Sequence, residues 1–267
     1  MTQTPTRAPA PSRQSIEPTD PAFESRRDFY EDAYSSHNAK TQAWKALCAQ
    51  RNIQLIAEML DRQGWQPRRI VDVGCGDGSL LARLTDLEST QDLVGYEIAP
   101  AAVAFASARA IPRVSRIEVF DGAHVPELDD SFDLGVLSWV IEHALDPVAL
   151  VREVARISPR VFLIVVLDDT VAARRPAHSH ALGGQIQRFT RESATAVIEE
   201  AGLRIVESVV RYPTVREGVY WASGGRQRAR AYAQMLTKHA MHRVAPRFTE
   251  RLFAASLACL AVRDNEA

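Results

Sequence analysis

Short runs of apolar residues alternate along the chain with stretches in which apolar residues recur every three or four positions. The runs predict β-strands and the stretches predict helices, an alternation typical of βαβ units. Strands are expected near residues 69–73, 92–97, 115–120, 132–138, 160–167, 204–211 and 255–262. Helices are expected near residues 79–86, 99–109, 147–157 and 190–201, with a further pair between 216 and 250.

One of these runs indicates how the strands are arranged. Residues 161–167 are apolar without alternation, as in a central parallel strand that is buried on both faces. The predicted fold class is therefore α/β: a doubly wound, Rossmann-like, mostly parallel seven-stranded sheet with helices on both faces. The helical pair between 216 and 250 makes a helical insertion before the last strand.

The N-terminal part differs from the rest in composition. Residues 1–22 are rich in proline and poor in aliphatic residues, so we expect a flexible arm. Residues 23–64 are expected to form a helical lid or cap that ends near Gly64, and the core domain to cover residues 65–267, with a cap insertion at about 214–250. The aromatic side chains that could close such a lid are Phe29, Tyr30, Tyr34 and Trp44.

Composition narrows the class of protein. The 267 residues are 46% hydrophobic and 24% charged, which is typical of a globular chain and excludes a disordered or fibrous one. The sequence has no run of apolar residues long enough for a membrane span or a signal peptide, so a cytoplasmic protein is expected. Its three cysteines are too few and too widely spaced for a disulfide framework or a CxxC metal site.

The net charge of −1 conceals an uneven distribution. Residues 170–263 carry 15 Lys or Arg against 6 Glu, so the C-terminal part is basic and the N-terminal part is acidic. One hypothesis is that basic residues of the predicted insertion bind an acidic acceptor molecule. The candidates are Arg226, Arg228, Arg230 and Lys238.

The strongest motif is a glycine turn that follows the first strand. Gly74, Gly76 and Gly78 allow positive φ and close backbone approach, and such a turn lies at the carboxyl edge of an open α/β sheet, where ligands bind. The dinucleotide fingerprint GxGxxG would require glycine at position 79, which is Ser79. Asp72 and Asp77 add negative charge to the turn, so the motif favours a nucleotide-like cationic ligand over a pyrophosphate.

Two further carboxylates stand where strands are predicted to end. Glu97 follows Gly78 by 19 residues and could accept hydrogen bonds from both hydroxyls of a ribose. Asp121 follows the third strand and could accept a hydrogen bond from an adenine amino group. Three successive strand ends therefore carry groups suited to an adenosine-like ligand.

These motifs resemble those of class I S-adenosylmethionine-dependent methyltransferases, in the broad branch that modifies small molecules such as sugars, polyketides and quinones. The resemblance covers about residues 65–206. The matching stretches are Val71-Asp-Val-Gly-Cys-Gly-Asp-Gly78, Gly95-Tyr-Glu-Ile98, Phe120-Asp-Gly-Ala123, Ser131-Phe-Asp-Leu134 and Trp139-Val-Ile-Glu-His143.

The resemblance implies S-adenosyl-L-methionine as cofactor. The three glycines would bring backbone to the methionine moiety, Asp72 would support the turn, and Glu97 would hold the ribose. Ile98 would pack on the adenine, and Asp121 would contact it together with Ala123. The full set of expected cofactor-binding residues is Asp72, Gly74, Cys75, Gly76, Gly78, Glu97, Ile98, Asp121, Gly122, Ala123 and Ser138. Cys75 is expected to be an ordinary free cysteine.

Three histidines are candidates for a general base in methyl transfer to an oxygen or nitrogen of a small, acidic or neutral, metabolite. His143 follows the fourth strand, and His178 and His180 lie in the loop after the fifth. Histidine is a suitable base because an imidazole titrates near working pH. The His-x-His spacing could suggest a metal, but no third ligand is evident, so no metal is predicted.

Two other functions remain open at this stage. The chain could be a catalytically inactive, cofactor-binding partner subunit. It could also methylate RNA or protein, although basic and aromatic residues do not interleave as they do on nucleic-acid platforms, so a nucleic-acid partner is disfavoured. No membrane partner is expected, and the sequence is compatible with a homodimer.

Overall fold

A single seven-stranded sheet organises the part of the chain that the structure describes. The structure is a computed structural model and covers residues 21–35, 38–171 and 184–264. The strands are β1 Arg69–Val73, β2 Asp92–Glu97, β3 Val114–Val119, β4 Leu134–Ser138, β5 Arg160–Leu167, β6 Leu203–Arg211 and β7 Ala255–Arg263. Their spatial order is β3-β2-β1-β4-β5-β7-β6. All pairings among β1 to β5 are parallel, and β7 runs antiparallel to both β5 and β6.

Helices cover the sheet and connect its strands. They are α1 Pro21–Ser35, α2 Ala39–Gln63, α3 Leu81–Leu84, α4 Pro100–Ser107, α5 Pro147–Ile157, α6 Arg191–Glu200, α7 Val215–Val219, α8 Gly225–Val244 and α9 Pro246–Leu252, with a 3₁₀ turn at Ile141–His143. No helix within the described ranges is long and apolar enough to cross a bilayer.

Alternating side chains of each strand supply two separate cores, one on each face of the sheet. On β1, Val71 and Val73 pack with the buried faces of α5 and α6, whereas Ile70 packs with α2 and α3. The central strands β4 and β5 bury residues on both faces, which explains their unbroken apolar sequence. The doubly wound architecture predicted from the sequence is therefore confirmed.

Helix α2 is delimited by residues suited to its two ends. The Asn38 side chain accepts a hydrogen bond from the Thr41 N–H at 3.0 Å, which satisfies a free donor of the first turn. Gly64 ends the helix with a φ of 66°, a left-handed conformation that glycine adopts without a steric penalty. The predicted stop at Gly64 is confirmed.

The remaining differences from the predicted elements are local. Helix α3 covers only Leu81–Leu84 instead of 79–86, because the Asp77 carboxylate accepts the Ser79 N–H at 3.1 Å and keeps these residues in a turn. Three helices, α7 to α9, replace the predicted pair between β6 and β7. Helix α1 begins at Pro21, two residues inside the predicted arm, and residues 1–20 lie outside the described ranges.

The strand order creates the crevice in which a ligand can bind. From β1 the chain continues to β2 and β3 on one side of the sheet, and then returns to β4 on the other side. The connections at the carboxyl ends of β1 and β4 therefore diverge, which is the topological switch point of an open α/β sheet. The functional residues predicted from the sequence follow strands that end at this edge.

Candidate active site

The glycine turn lies at the switch point and is held by hydrogen bonds to β2. The N–H groups of Gly74 and Cys75 both donate to the Tyr96 carbonyl oxygen, at 2.7 and 3.0 Å. Gly74 and Gly76 have positive φ, and a Cβ at either position would meet a neighbour at 2.6 Å or less: the Val140 side chain at Gly74 and the Tyr34 hydroxyl at Gly76. The turn thus exposes main chain to a cavity with no room for side chains at these glycines.

The cavity has a volume of about 330 Å³ and is lined by the turn, the ends of β2 and β4, and both N-terminal helices. This is the lower end of the range for small-ligand sites. Its lining residues with functional groups or aromatic rings are Phe23, Arg26, Tyr30, Tyr34, Lys45, Asn52, Asp72, Cys75, Asp77, Ser79, Glu97, Phe120, Ser138, Trp139 and His143.

Glu97 is buried at the end of β2 and organises the backbone around it. Its Oε2 atom accepts the Gly76 N–H at 2.9 Å, and its Oε1 atom accepts the N–H groups of Ile98 and Ala99 at 2.8 and 3.2 Å. A carboxylate has about four acceptor positions, so one position remains on Oε2. Burial raises the pKa of Glu97, although the three N–H donors and nearby Lys45 oppose the rise.

Asp72 supplies a second carboxylate to the cavity, but unlike Glu97 it is not held by hydrogen bonds within the part of the chain that the structure describes. It is 1% exposed, and neither of its oxygen atoms has a hydrogen-bond partner among the described residues. Burial, together with repulsion from Glu97, raises its pKa to about 7. Asp72 therefore forms no hydrogen bond with the turn that it was expected to support, and it can bind a cation.

A lysine balances part of this negative charge. Lys45 on α2 lines the cavity and donates a hydrogen bond to the Tyr34 hydroxyl at 2.8 Å. Burial lowers the pKa of Lys45, whereas attraction to Asp77 and Glu97 opposes the change. Burial would raise the pKa of Asp77, but Lys45, Ser79 and Arg109 outweigh it, and the pKa is lowered. The cavity thus contains a cation close to several carboxylates.

Helix α1 forms the outer wall of the cavity. Phe23, Arg26, Tyr30 and Tyr34 lie at spacings of three or four residues along it, and all four line the cavity. The Glu31 carboxylate accepts the Ala101 N–H at 2.8 Å and ties the helix to the first turn of α4. The guanidinium of Arg26 donates to the Gly184 carbonyl and, at 3.1 Å, to the Tyr30 hydroxyl.

His143 lines the cavity from the 3₁₀ turn that follows β4. Its Nδ1 atom has no hydrogen-bond partner among the described residues, and its ring meets Tyr30 edge to face at a centroid distance of 5.6 Å. Burial, with a contribution from Arg26, lowers its pKa to about 4, although a hydrogen bond to the Gly184 backbone opposes the change. The imidazole is therefore neutral at pH 7 and can accept a proton.

Comparison with known proteins finds a methyltransferase domain in the chain. Residues 71–163 match a protein-family model described as a methyltransferase domain. The chain is 27% identical over 145 residues to ajmaline N-methyltransferase of Rauvolfia serpentina, covering 53% of this chain and 50% of that protein. It is 27% identical over 176 residues to malonyl-[acyl-carrier protein] O-methyltransferase of Geobacter sulfurreducens, covering 61% and 65%. Residues 71–163 therefore form a methyltransferase domain, and the resemblance to class I S-adenosylmethionine-dependent methyltransferases is confirmed.

Its fold is also shared with a solved methyltransferase structure. This is phosphoethanolamine N-methyltransferase 2 of Haemonchus contortus in complex with phosphomonomethylethanolamine and S-adenosylhomocysteine. The TM-score is 0.58 at 15% identity, and the match covers 89% of this chain and 60% of the other. At this identity the likeness concerns the fold alone. The present chain covers 50% and 65% of the length of the two curated relatives described above.

The residues of the methyltransferase cavity suit the cofactor of the family, S-adenosylmethionine. The unpartnered carboxylate of Asp72 matches a cationic ligand, and the free acceptor position of Glu97 matches a ribose hydroxyl. The ammonium group of Lys45 can pair with a carboxylate. The side-chain-free backbone at Gly74 and Gly76 permits close approach of a ligand.

The structure brings most of the predicted cofactor residues to this cavity. Those that line it are Asp72, Gly74, Cys75, Gly76, Glu97, Ile98, Gly122 and Ser138. Gly78 instead lies against α4, where an added Cβ would come within 3.1 Å of Ala106. The Asp121 carboxylate accepts the N–H groups of Ala123 and His124 at 2.8 and 2.7 Å and is exposed, so Asp121 and Ala123 form a turn beside the cavity.

The remaining predictions concern the other histidines, the Cys75 thiol, Trp44 and metal binding. His178 and His180 fall outside the described residues. Cys75 is a free, buried thiol whose pKa burial raises well above its usual value, as expected for an unreactive cysteine. Trp44 packs on Tyr220 with ring centroids 5.2 Å apart and does not line the cavity. Among the residues described here, no group of three or more His, Cys, Asp or Glu could hold a metal.

The basic residues of the insertion also lie away from the cavity lining. Arg226, Arg228 and Arg230 are exposed on α8. The ammonium of Lys238 lies over the Phe253 ring at 5.2 Å from its centroid. Much of the positive charge of the C-terminal part therefore lies on the solvent-exposed face of α8.

Sequence reasoning missed the contribution of α2. Lys45, Ala49 and Asn52 have helical spacing on one face of α2 and line the cavity. Asn52 is 1% exposed within the otherwise apolar buried stripe of the helix. A polar residue in such a stripe was the available signal, because a buried amide requires hydrogen-bond partners.

Glu142 is a buried carboxylate beside the site, and its ionisation is expected to make the free energy of unfolding depend on pH. Burial, with repulsion from Asp168, raises its pKa to about 8, although backbone hydrogen bonds at Glu142 and Val166 oppose the rise. Between the pKa of Glu142 in the unfolded state and its pKa in the native state, Glu142 is protonated in the native state and ionised in the unfolded state. The free energy of unfolding of the wild type therefore falls as pH rises towards 8. Relative to wild type, Glu142→Gln is expected to gain about 1.4 kcal/mol of unfolding free energy per pH unit in this window.

Urea unfolding at several pH values between about 5 and 8 measures this difference. The matched control is Glu199→Gln on the exposed surface of α6, which should follow the wild-type pH dependence. A constant difference in unfolding free energy between Glu142→Gln and wild type would show that Glu142 is ionised in the native state throughout the range.

Proposed function

We propose that the chain is an enzyme that transfers a methyl group to an oxygen or nitrogen atom of a small acceptor molecule. The observation that carries the proposal is the meeting of the glycine turn, Glu97 and the unpartnered Asp72 carboxylate in one cavity at the switch point of the sheet. Bound S-adenosylmethionine supplies an electrophilic methyl group on a sulfonium.

Each part of the cavity has a role in holding the two reactants. Glu97 accepts from a ribose hydroxyl, Lys45 pairs with the carboxylate of the cofactor, and Asp72 attracts its positive charge. Because methyl transfer is an in-line displacement, orientation of the acceptor atom can contribute about 7–11 kcal/mol to lowering the barrier. Few catalytic side chains are then required.

Helix α1 acts as a lid in this proposal. Its side chains Phe23, Arg26, Tyr30 and Tyr34 line the cavity, so closure of α1 would exclude water and fix the acceptor opposite the cofactor. His143, next to Tyr30, is neutral at pH 7. It can take the proton that a hydroxyl acceptor loses as it attacks, or the proton that a methylated amine releases after transfer.

The relatives support either nitrogen or oxygen as the atom that receives the methyl group. One is named as an N-methyltransferase and the other as an O-methyltransferase. Both names support a methyltransferase reaction, and they differ in the receiving atom.

The decisive experiment separates binding from transfer. Calorimetry should detect binding of S-adenosylmethionine and S-adenosylhomocysteine, and methyl-labelled cofactor should be incubated with cell extract that is then fractionated into small molecules, protein and RNA. We expect label in the small-molecule fraction. Label in protein or RNA would redirect the assignment, and binding without transfer to any fraction would favour a cofactor-binding partner subunit.

Substitution of His143 tests its role as a base. If the imidazole takes the acceptor proton, His143→Ala should lower kcat by about 10²- to 10⁴-fold and leave cofactor affinity unchanged. Because its pKa is about 4, the rate should not show a His143 titration above about pH 5. An unchanged kcat in the variant would limit His143 to shaping the cavity.

A further inference from the structure

Arg211 lies immediately behind one wall of the cavity. It is the last residue of β6, which runs parallel to β5, so it stands at the same carboxyl edge of the sheet as the glycine turn. Its Nη2 group donates to Asn52 Oδ1 at 3.4 Å, and Asn52 Nδ2 donates to Ser138 Oγ at 3.3 Å. Asn52 and Ser138 both line the cavity.

Most of the hydrogen-bonding capacity of this guanidinium is unused. Nε and Nη1 of Arg211 are buried, and neither has a hydrogen-bond partner among residues 21–35, 38–171 and 184–264. Buried donors without partners are rare in native proteins because desolvation is not compensated. Two donors on one buried guanidinium therefore point to a group that binds there.

The neighbouring groups balance the charge of Arg211 only in part. The nearby carboxylate of Glu217 is engaged by Arg51, whose Nη1 is 2.5 Å from it and whose Nη2 donates to the Tyr212 carbonyl at 2.8 Å. Burial raises the pKa of the Cys48 thiol to about 12, so this neighbour is neutral. Burial and repulsion from Arg51 lower the pKa of Arg211 to about 10, although attraction to Glu217 and Glu58 opposes the change, so the guanidinium is charged at pH 7.

The size of the cavity makes this position relevant to the acceptor. A volume of about 330 Å³ suits one ligand, so a second molecule must extend beyond the residues that line it. A guanidinium matches the geometry of carboxylate and phosphate groups, with which it forms charge-assisted hydrogen bonds. An anionic substituent would both pair with the charge and satisfy the free donors.

We propose that Arg211, together with Asn52, binds a carboxylate or phosphate group of the methyl acceptor. This rests on the proposed methyltransferase function and assigns the acceptor to a chemical class: small molecules with an acidic substituent at one end and a methylatable oxygen or nitrogen at the other. Arg211, and not the exposed arginines of α8, is then the residue that selects an acidic acceptor.

The test uses inorganic phosphate and acetate as probes. Each is titrated into the protein, both free and loaded with S-adenosylhomocysteine, at constant ionic strength set with sodium chloride, and Tm is recorded. The Tm of the wild type should rise to a plateau with at least one anion. A response to phosphate would indicate a phosphate substituent on the acceptor, and a response to acetate would indicate a carboxylate. Arg211→Gln should weaken the apparent affinity for the anion at least about tenfold, and Arg211→Lys should weaken it less.

The matched control is Arg204→Gln, which removes an exposed arginine from the same strand and should leave the response unchanged. In chloride alone, Arg211→Gln should have a Tm at or above that of wild type, because the substitution removes an unpaired buried charge. A lower Tm in chloride, an equal anion response in Arg211→Gln, or no saturable response in wild type would overturn the proposal.

The same titrations keep the two proposals apart. Arg211→Gln should bind S-adenosylhomocysteine as wild type does, since Arg211 does not line the cofactor cavity. If wild type binds neither cofactor form, the methyltransferase proposal fails, and the response of the free protein to phosphate or acetate still decides whether Arg211 binds anions.

Discussion

Glu97→Ala is expected to weaken binding of S-adenosylmethionine by about 10²-fold or more. A hydrogen bond from a ligand to a charged buried acceptor is worth about 1.5–3 kcal/mol, and here the same carboxylate also holds the N–H groups of Gly76, Ile98 and Ala99. The variant therefore loses a ligand contact and the fixed backbone around it. Calorimetric titration below the Tm of the variant measures the loss.

Two further substitutions make this result specific. Glu97→Gln keeps the volume but replaces one acceptor oxygen with a donor that faces backbone N–H groups, so we expect an affinity between those of wild type and Glu97→Ala. Glu118→Ala removes an exposed carboxylate from the adjacent strand β3 and should bind the cofactor normally. Unchanged affinity in a folded Glu97→Ala protein would remove Glu97 from the cofactor site.

The second large effect concerns pH and Asp72. Its pKa is raised to about 7 by burial and by Glu97, so below this value most of the unliganded protein carries a neutral Asp72. A cationic ligand favours the ionised form, so binding must then release a proton. The affinity for S-adenosylmethionine should rise by about tenfold per pH unit between about pH 5.5 and pH 7.

Asp72→Asn is expected to abolish this dependence and to bind the cofactor about 10- to 100-fold more weakly at pH 7. Because the wild type and Asp72→Asn are measured with the same ligand, titration of the ligand's ammonium group affects both affinities equally and does not alter their ratio. S-adenosylhomocysteine lacks the sulfonium charge, so an equal pH slope for both ligands would place Asp72 near the ammonium, and a slope for S-adenosylmethionine alone would place it near the sulfonium.

Asp86→Asn serves as the control, because it removes an exposed carboxylate two residues beyond α3 and should keep the wild-type pH slope. Without ligand, the elevated pKa of Asp72 also means that stability falls as pH rises towards 7, and Asp72→Asn should lessen this fall. An identical pH slope of affinity in Asp72→Asn and wild type would contradict the assignment.

The proposed roles of Arg211 and α1 give the two sides of the cavity different functions. In these proposals the residues that follow β1 and β2 would hold the cofactor, and they lie within residues 71–163, which the family model matches. Asn52, Tyr30 and Arg26 line the cavity, and Arg211 donates to Asn52 from behind it. These four residues lie outside residues 71–163 and would surround the acceptor. Substrate preference would then be set by the parts of the chain that the family model does not cover, as expected where function resides in sites built on a common fold.

The sequence by itself determined the sheet and the motifs at its edge. Strands such as β2 and β5 were predicted with their observed limits, because a strand buried on both faces must be apolar and must end where polar turn residues begin. Gly74, Gly76 and Glu97 could likewise be identified, because each lies within a few residues of a predicted strand end. Local pattern is sufficient where neighbours in sequence are also neighbours in the site.

Only the tertiary structure decided which distant residues complete the cavity. Lys45 and Asn52 come from a helix that precedes the sheet, and Arg211 comes from a strand 159 positions beyond Asn52. In sequence, Lys45 and Arg211 resemble ordinary charged surface residues, and Asn52 is a single polar residue in an apolar stripe. They come together only when α2 packs across the sheet and buries them. The unpaired state of Asp72 and Arg211 is a property of burial, which depends on every element packed around them.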